Sequence, residues 1–374
     1  MHLIAWSIPV FLAAIALELV LARRRRRDLY RFSAAISDIS CGVTQQLFNL
    51  LTTAAIFALY FVVYEFRVLE LDPTAATTWL FGMLAVDFVY YWWHRASHEC
   101  NLLWAVHAVH HQSEEYNLAV ALRQALFSNA SLLPFALPLA LLGLPPTVYL
   151  ACRALNSLYQ FWIHTELIGK LGPAEAVLNT PSHHRVHHAI NPQYLDKNYA
   201  GILITWDRLF GSFATEVERP VYGTVKPLRS LNPLWANFAY FGEIADRIRE
   251  SARLGEKVRA VFAHPKWRPG GEAPAPTTAE LQVRAARRFD VPPSPTILRY
   301  ASVQMALAVP LTMFVLLAGG RWAWSTTLLA CAGLGLGAVA VLGLVERRPW
   351  AWPLEVARLT ALVSVLVEVT GLLD

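Results

Sequence analysis

The sequence predicts an all-α protein: a polytopic membrane helix bundle that carries a histidine-rich, di-metal cap on its cytoplasmic side. Two observations lead to this prediction. The 374-residue chain is 55% hydrophobic and only 16% charged, with a mean hydropathy of +0.37, which is too apolar for an ordinary soluble enzyme of this length. Ten of its twelve histidines fall between His94 and His188, nearly all in tight clusters.

Eight apolar segments are long enough, or nearly so, to cross a bilayer, which requires about 20 helical residues. The predicted spans are Leu3–Ala22, Thr44–Tyr64, Thr78–Trp93, Leu118–Leu142, Thr147–Ile163, Tyr300–Ala318, Ala323–Val345 and Trp352–Leu373. Residues Asp28–Cys41 are mixed in composition and are predicted to lie in the membrane interface.

The arginine run Arg23–Arg27 sets the orientation of these spans. It follows the first span directly, whereas a cleaved signal peptide carries its charge before the apolar stretch, so an uncleaved anchor is predicted. The positive-inside rule places the run in the cytoplasm, and counting spans from there brings every clustered histidine to the same side. The run could supply the whole formal net charge of +5, so it indicates membrane topology and no nucleic-acid partner is predicted.

Composition divides the chain into four predicted regions: N-terminal spans (1–77), a catalytic region (78–215), a cytoplasmic or interfacial segment (216–298) and a C-terminal three-span region (299–374). The polar segment 216–298 contains a Pro/Gly-rich linker near His264 and an amphipathic piece, Phe241–Val261, which is predicted to lie against the membrane. The four cysteines are far apart and lack CxxC spacing, so neither a disulfide framework nor a thiolate metal site is predicted.

The histidines fall into one HxxxH pair and two HxxHH boxes. Spacings of three and four residues place side chains on one face of a helix, so the three motifs are predicted to converge. Neutral imidazole binds iron, zinc and copper, and this many imidazoles exceed what one ion needs, so two ions are predicted. The candidate ligands are His94, His98, His107, His110, His111, His164, His183, His184, His187 and His188, of which His183 could instead hydrogen-bond a neighbouring ligand. His2 and His264 are predicted to have no metal role.

A site of imidazoles without thiolates excludes iron–sulfur clusters and structural zinc. Haem would need single histidines facing each other deep within the spans, whereas these lie at span ends. Redox iron beside a bilayer indicates oxygen activation for attack on an unactivated C–H bond, with a lipid chain arriving between the spans. The predicted partners are therefore a membrane lipid, O2 and a reductant, whose chemical class the residues alone do not identify.

Eight segments of the sequence resemble the fatty acid hydroxylase/sterol desaturase superfamily of membrane non-haem di-iron enzymes, and within it the alkylglycerol monooxygenase branch. They are WHRASHE (93–99), WAVHAVHH (104–111), SEEYNL (113–118), ALRQ (121–124), QFWIHTE (160–166), LNTPSHHRVHH (178–188), DKNYAG (196–201) and WDRLFG (206–211). The resemblance covers about residues 78–213; beyond it, the last three spans are similar only in hydropathy.

The resemblance implies hydroxylation of the carbon next to the ether oxygen of alkylglycerols, after which the hemiacetal falls apart to a fatty aldehyde and glycerol. It implies two Fe2+ ions as cofactors, with electrons from tetrahydrobiopterin, and it implies a catalytic role for Glu99. The resemblance also places His164 where related hydroxylases carry a further ligand. Those hydroxylases often have another histidine four residues earlier, where this chain has Gln160. The histidine ligands implied by the resemblance are His94, His98, His107, His110, His111, His184, His187 and His188.

Two other functions remain open at this stage. One is a sibling oxidase of the same superfamily that hydroxylates or desaturates a sterol or fatty acyl chain with another electron donor. The other is a metal transporter or sensor without oxidation chemistry, which the rim position of the histidines disfavours because transporters place their ligands near the bilayer midplane. Residues Asp196–Tyr199 are predicted to order the second HxxHH box, the third of the histidine motifs, although the sequence shows no partner for them.

Overall fold

The computed structural model describes residues 2–370, and the prediction of an all-α fold is confirmed. The helices of the described part are α1 His2–Arg24, α2 Phe32–Tyr64, α3 Ala76–Glu99, α4 Asn101–His111, α5 Ser128–Leu142, α6 Pro146–Trp162, α7 Pro181–His187, α8 Thr205–Leu209, α9 Pro233–Glu250, α10 Leu254–Phe262, α11 Thr278–Ala286, α12 Pro295–Ala318, α13 Trp324–Val345 and α14 Ala351–Thr370. The side chain of His2 and the predicted end of the last span at Leu373 lie outside the described residues.

Four helices are long and apolar enough to cross a membrane, which makes the chain an integral membrane protein: Leu3–Arg24, Phe32–Tyr64, Pro295–Arg321 and Trp324–Val345. Helices α3, α5, α6 and α14 coincide with the other four predicted spans but are shorter or more polar. For these four helices, membrane crossing stays a prediction.

The second span begins earlier than the sequence indicated. Residues Asp28–Cys41 were expected in the interface, but α2 runs unbroken through most of them from Phe32. Two polar residues in its first turns are buried and paired: Ser37 Oγ donates to the Leu231 carbonyl at 2.9 Å, and Asp38 lies 3.2 Å from the Arg123 guanidinium. Contacts with the cap therefore replace water for this part of the helix.

The prediction of one span over Leu118–Leu142 is wrong in its first part. Residues Val120–Leu122 form a short 3-10 turn, and α5 begins only at Ser128. The segment before α5 packs beneath the histidines, where Arg123 is buried and donates from Nε to the Val109 carbonyl at 2.7 Å. An apolar run that is buried inside protein looks the same in sequence as one that is buried in lipid.

The polar stretch between the two membrane regions is more ordered than predicted. The amphipathic piece expected at Phe241–Val261 is divided between α9 and α10, which are separated at Ser251–Arg253. The Pro/Gly-rich text forms a small antiparallel hairpin, in which β1 (Trp267–Arg268) pairs with β2 (Gly271–Glu272).

Two apolar cores hold together the longer helices of the bundle, α3 and α6 among them. Tyr60 of α2 and Tyr149 of α6 stack at 4.6 Å between ring centroids, in a core shared with α3 and α5. Val43 of α2 packs against Val309 of α12 and Leu334 of α13 in a second core. The C-terminal helices are thus packed directly onto the bundle that supports the histidines.

Candidate metal centre

Four segments deliver the histidines to one place. His94 and His98 lie one turn apart on the last turns of α3, and the first HxxHH box lies on α4. His164 comes two residues after the end of α6, and the second HxxHH box lies on α7 and its C-cap residue His188. The helical spacing predicted from the sequence therefore places these side chains on the faces that meet.

The structure groups nine of the ten candidates into two sets. The ligand atoms of each set all lie within 4.8 Å of one another. The five-histidine cluster contains His94, His98, His107, His111 and His187; the four-histidine cluster contains His110, His164, His184 and His188. The two clusters adjoin, because the rings of His111 and His188 stack at 4.3 Å. Two groups of this size agree with the prediction of two ions.

Distances between ring nitrogens fit coordination of an ion by each cluster. The Nε2 atoms of His94 and His107 lie 2.9 Å apart, and those of His184 lie 3.1 Å from His164 and 3.2 Å from His188. Ligand nitrogens about 2.1 Å from one ion, at right angles to each other, are about 3 Å apart. The Nε2 atoms of His98 and His187 are buried without any hydrogen-bond partner among the described residues, an arrangement that a metal ion would satisfy.

Backbone carbonyls orient several of these rings. The Nδ1 atoms of His94 and His187 lie 2.7 and 3.0 Å from the carbonyls of Tyr199 and Lys197. The Nδ1 of His110 lies 2.9 Å from the Arg123 carbonyl, and that of His164 lies 2.7 Å from the carbonyl one turn earlier in α6. A proton on Nδ1 that is donated to a carbonyl leaves the Nε2 lone pair free to face a metal.

The loop Asp196–Tyr199 supplies two of these carbonyls, one to His187 of the second HxxHH box and one to His94 of α3. Asp196 and Asn198 adopt left-handed backbone conformations, with φ of 60° and 57°. The fully buried Asn198 side chain donates to the carbonyls of His183 and Ala214 and accepts from the Ala214 amide. Left-handed conformations are those that Asn and Asp tolerate best among residues with side chains.

The site keeps its imidazoles neutral. Burial lowers the pKa of all nine clustered histidines, and neighbouring imidazoles lower most of them further because two positive rings would repel each other. The pKa falls to about 4 for His110 and about 3 for His187. Unprotonated nitrogens are required for metal binding, so the ligands are ready at neutral pH.

The structure does not bring Glu99 or His183 into either cluster. Glu99 pairs with Arg95 across one helical turn, at 2.9 Å, and its side chain is 40% exposed. His94 and His98 share one face of α3, and Glu99 is turned away from that face because each residue advances the helix by about 100°. The His183 ring instead packs edge-on against Phe213, with 5.4 Å between centroids. His264 also lies outside the clusters and pairs with Asp196 at 3.1 Å.

Sequence reasoning missed Glu18, a buried carboxylate in the middle of an apolar helix. It accepts a hydrogen bond from the Leu118 amide at 2.8 Å and also from the hydroxyls of Tyr30 and Thr165. Thr165 follows the candidate ligand His164, so α1 is tied to the metal centre. An acidic residue inside a predicted span was the available signal, because such residues are costly in lipid unless paired.

A cavity of ≈ 220 Å³ leads from the helix bundle to the histidines. Its walls come from α1, α2, α3, α5, α6 and α12, and apolar residues such as Ile8, Phe11 and Val309 form much of the lining. At the inner end it reaches His107 of the five-histidine cluster and both His110 and His164 of the four-histidine cluster. Tyr90 and Trp93 of α3 also line this cavity.

The family model for fatty acid hydroxylases matches residues 79–212, which contain every clustered histidine. An alkylglycerol monooxygenase of Danio rerio is 38% identical over 353 residues, a match that covers 94% of this chain and 79% of the relative. The chain belongs to the alkylglycerol monooxygenase family. It is an oxidoreductase of the lipid monooxygenase class, as the sequence predicted.

Two further relatives show how far this family resemblance extends. The Homo sapiens alkylglycerol monooxygenase is 42% identical over 264 residues, covering 70% of this chain and 59% of the relative. An ornithine lipid hydroxylase of Rhizobium tropici is 33% identical over 135 residues, covering 35% of this chain and 40% of that protein. No solved structure matches the chain.

Substitution Asn198→Ala is expected to lower metal affinity about 10- to 100-fold, because it removes a support of carbonyls that orient the ligands. The measurement is metal retained by the purified protein during titration with a chelator. The matched control is Asn232→Ala, which removes the N-terminal cap of α9 away from the histidines. Equal metal loss in both variants would mean that general destabilisation causes the effect.

Proposed function

We propose that the protein is a membrane di-iron monooxygenase that hydroxylates the carbon next to the ether oxygen of alkylglycerols. The observation that carries this proposal is the cavity, whose largely apolar walls end at histidines of both clusters. An apolar chain can lie along such walls while a carbon near its polar end meets the metals. The names of the relatives supply the substrate class.

The proposed ligands are the nine histidines of the two clusters, five for one iron and four for the other. Imidazole nitrogens at these spacings suit iron, and the two unpartnered Nε2 atoms of His98 and His187 fit a bound cation. When bound, the irons would supply the activation of O2 that the protein's own side chains lack. Glu99 could take part only if its pair with Arg95 opened.

The chain's own residues position the reactants and exclude water. Tyr90 donates from its hydroxyl to the Gln160 side-chain oxygen at 2.7 Å, and the Gln160 amide donates to the Asn156 side-chain oxygen at 2.7 Å. These bonds fix the polar groups on the wall nearest the histidines, and Trp93 covers the neighbouring surface. A wall fixed in this way holds the lipid in one orientation during the reaction.

The proposed reaction balances with an external two-electron donor. One atom of O2 becomes the hydroxyl on the carbon beside the ether oxygen, and the other leaves as water with two electrons and two protons from the reductant. The hemiacetal then loses glycerol and becomes a fatty aldehyde. We propose tetrahydrobiopterin as the donor, on the resemblance to the family alone, with an electron-transfer protein as the alternative.

The proposed location of the metal centre is the cytoplasmic membrane face. Arg25 and Arg27 of the basic run donate to the carbonyls of Leu167 and Glu166 at 3.3 and 2.7 Å, just beyond the candidate ligand His164. The basic run and the histidines therefore occupy the same end of the bundle, and basic runs beside spans face the cytoplasm.

We also propose that residues 78–215 form the catalytic region, between the N-terminal spans (1–77), the segment 216–298 and the C-terminal spans (299–374). All clustered histidines lie within 78–215. The flanking regions contribute cavity wall, because Ile4 of α1 and Thr312 of α12 line it.

The test is oxygen-dependent turnover of an alkylglycerol by iron-loaded membranes that contain the protein. Fatty aldehyde is expected with tetrahydrobiopterin, and membranes containing the His184→Ala variant serve as the control. Aldehyde formed equally well with other reductants would overturn the pterin assignment. The absence of aldehyde with every reductant, in protein loaded with iron, would overturn the ether-lipid assignment.

A further inference from the structure

A positively charged side chain, that of Arg153, lines the cavity and has no role in the proposed reaction. Arg153 lies in the middle of α6, faces the cavity and makes one hydrogen bond among the described residues, from Nη2 to the Asn129 side-chain oxygen at 2.7 Å. Within residues 2–370 it forms no ion pair with a carboxylate. An arginine surrounded by an apolar bundle is costly unless it is paired or faces a polar occupant.

Its partners make this part of the cavity rich in hydrogen-bond donors. Asn129 accepts from Arg153 and donates in turn from Nδ2 to the Asn49 side-chain oxygen at 3.0 Å. Both amide oxygens are therefore engaged, while most guanidinium N–H groups and the Asn49 amide remain available to the cavity. Donors left over beside a positive charge suit a ligand group that only accepts hydrogen bonds and carries negative charge.

This donor cluster of Arg153, Asn129 and Asn49 lines the same cavity as histidines of the metal centre and is linked to that centre through α5 and α3. Asn129 is two residues before Ser131, whose hydroxyl accepts from the indole of Trp93 at 3.2 Å. Trp93 immediately precedes the candidate ligand His94 and lines the same cavity. The head group of a lipid could therefore contact the cluster while a carbon close to that head group approaches the histidines.

We propose that Arg153, Asn129 and Asn49 bind the phosphate of an anionic ether lipid, so that the preferred substrate carries a phosphate on its glycerol unit. This inference rests on the proposed ether-cleaving function and specifies the substrate's head group. Arginine binds phosphate through paired, charge-assisted hydrogen bonds, and the low-polarity surroundings strengthen them. A neutral glycerol head group would leave the charge of Arg153 uncompensated.

The experiment compares two lipids: 1-O-hexadecylglycerol, and the same ether lipid with a phosphate on its terminal glycerol hydroxyl. Arg153→Gln is expected to lower kcat/KM for the phosphate lipid about 10- to 100-fold, because hydrogen bonds between charged groups are lost. For the neutral lipid, the loss of kcat/KM in Arg153→Gln is expected to be clearly smaller. The control is Arg249→Gln, whose arginine is 75% exposed on α9 and which is expected to leave kcat/KM unchanged for both lipids. Arg153→Lys keeps the charge and is expected to fall between wild type and Arg153→Gln.

A binding measurement separates this inference from the proposed function. Without reductant, the phosphate lipid is expected to raise the thermal unfolding temperature of the solubilised wild type more than that of Arg153→Gln. If the wild type forms aldehyde but the phosphate lipid raises the unfolding temperature of wild type and Arg153→Gln equally, the phosphate site is overturned and the ether-cleaving function stands. Arg153-dependent stabilisation without any aldehyde would overturn the function and keep the site. Equal loss of activity on both lipids would assign Arg153 to packing.

Discussion

His184→Ala and His187→Ala are each expected to abolish aldehyde formation and to lower the amount of bound iron. The two residues belong to different clusters, and each alanine removes a ligand from a group whose ligand atoms lie within 4.8 Å of one another. Loss of groups that merely orient ligands costs about 10- to 100-fold in activity, so loss of a ligand is expected to cost more than about 100-fold. Iron per chain, determined by elemental analysis, is measured beside turnover.

Two histidines outside the clusters provide the controls for this prediction. His264→Ala removes a partner of Asp196, and His183→Ala removes a ring that packs on Phe213. Both variants are expected to retain iron. Full turnover in either cluster variant, or iron loss with His183→Ala as large as with His184→Ala, would contradict the ligand assignment.

Asp38→Ala is expected to lower the free energy of unfolding by about 3–5 kcal/mol, because it leaves a buried guanidinium without its counter-charge. Asp38 and Arg123 are separated by 3.2 Å, and their side chains are 1% and 4% exposed. Iron affinity is expected to fall with stability, because the Arg123 carbonyl orients His110. Unfolding in detergent micelles is the measurement.

The control for the buried pair is an exposed pair of the same chemistry. Asp246→Ala on α9 breaks a contact between side chains that are 64% and 75% exposed, and it is expected to change the free energy of unfolding by about 0–1 kcal/mol. The double variant Asp38→Leu with Arg123→Met is expected to recover part of the lost stability, since no unpaired charge remains buried. Similar losses for Asp38→Ala and Asp246→Ala would contradict this account.

The sequence predicted much of the metal centre because its information is local. His107, His110 and His111 lie on one short helix, so their spacing alone determines that they share a face. The same reasoning worked for the pair on α3. The role of Glu99 came instead from the family resemblance and stays a prediction. Glu99 follows a ligand directly in the chain and is therefore on another face of the helix, where it pairs with Arg95.

The remaining features depend on contacts between distant parts of the chain, which spacing does not reveal. Asp38 and Arg123 are separated by 85 residues, and neither sequence neighbourhood indicates the other. The segment before α5 was predicted as membrane-spanning because it is apolar. Its residues are in fact buried inside the protein, and an apolar sequence does not distinguish burial in protein from burial in lipid. Glu18 similarly meets Thr165 only in the folded bundle.

The main-chain oxygens of Lys197 and Tyr199 hold two of the histidines, and this has a consequence for how the protein can vary. A carbonyl group is present whatever amino acid occupies the position, so the side chain of Lys197 can be exchanged freely as far as this contact is concerned. The number of residues between the second HxxHH box and this loop cannot vary in the same way. One inserted or deleted residue would place different carbonyl oxygens beside the rings of His187 and His94. Natural variation here should therefore be tolerant of substitution and intolerant of changes in length.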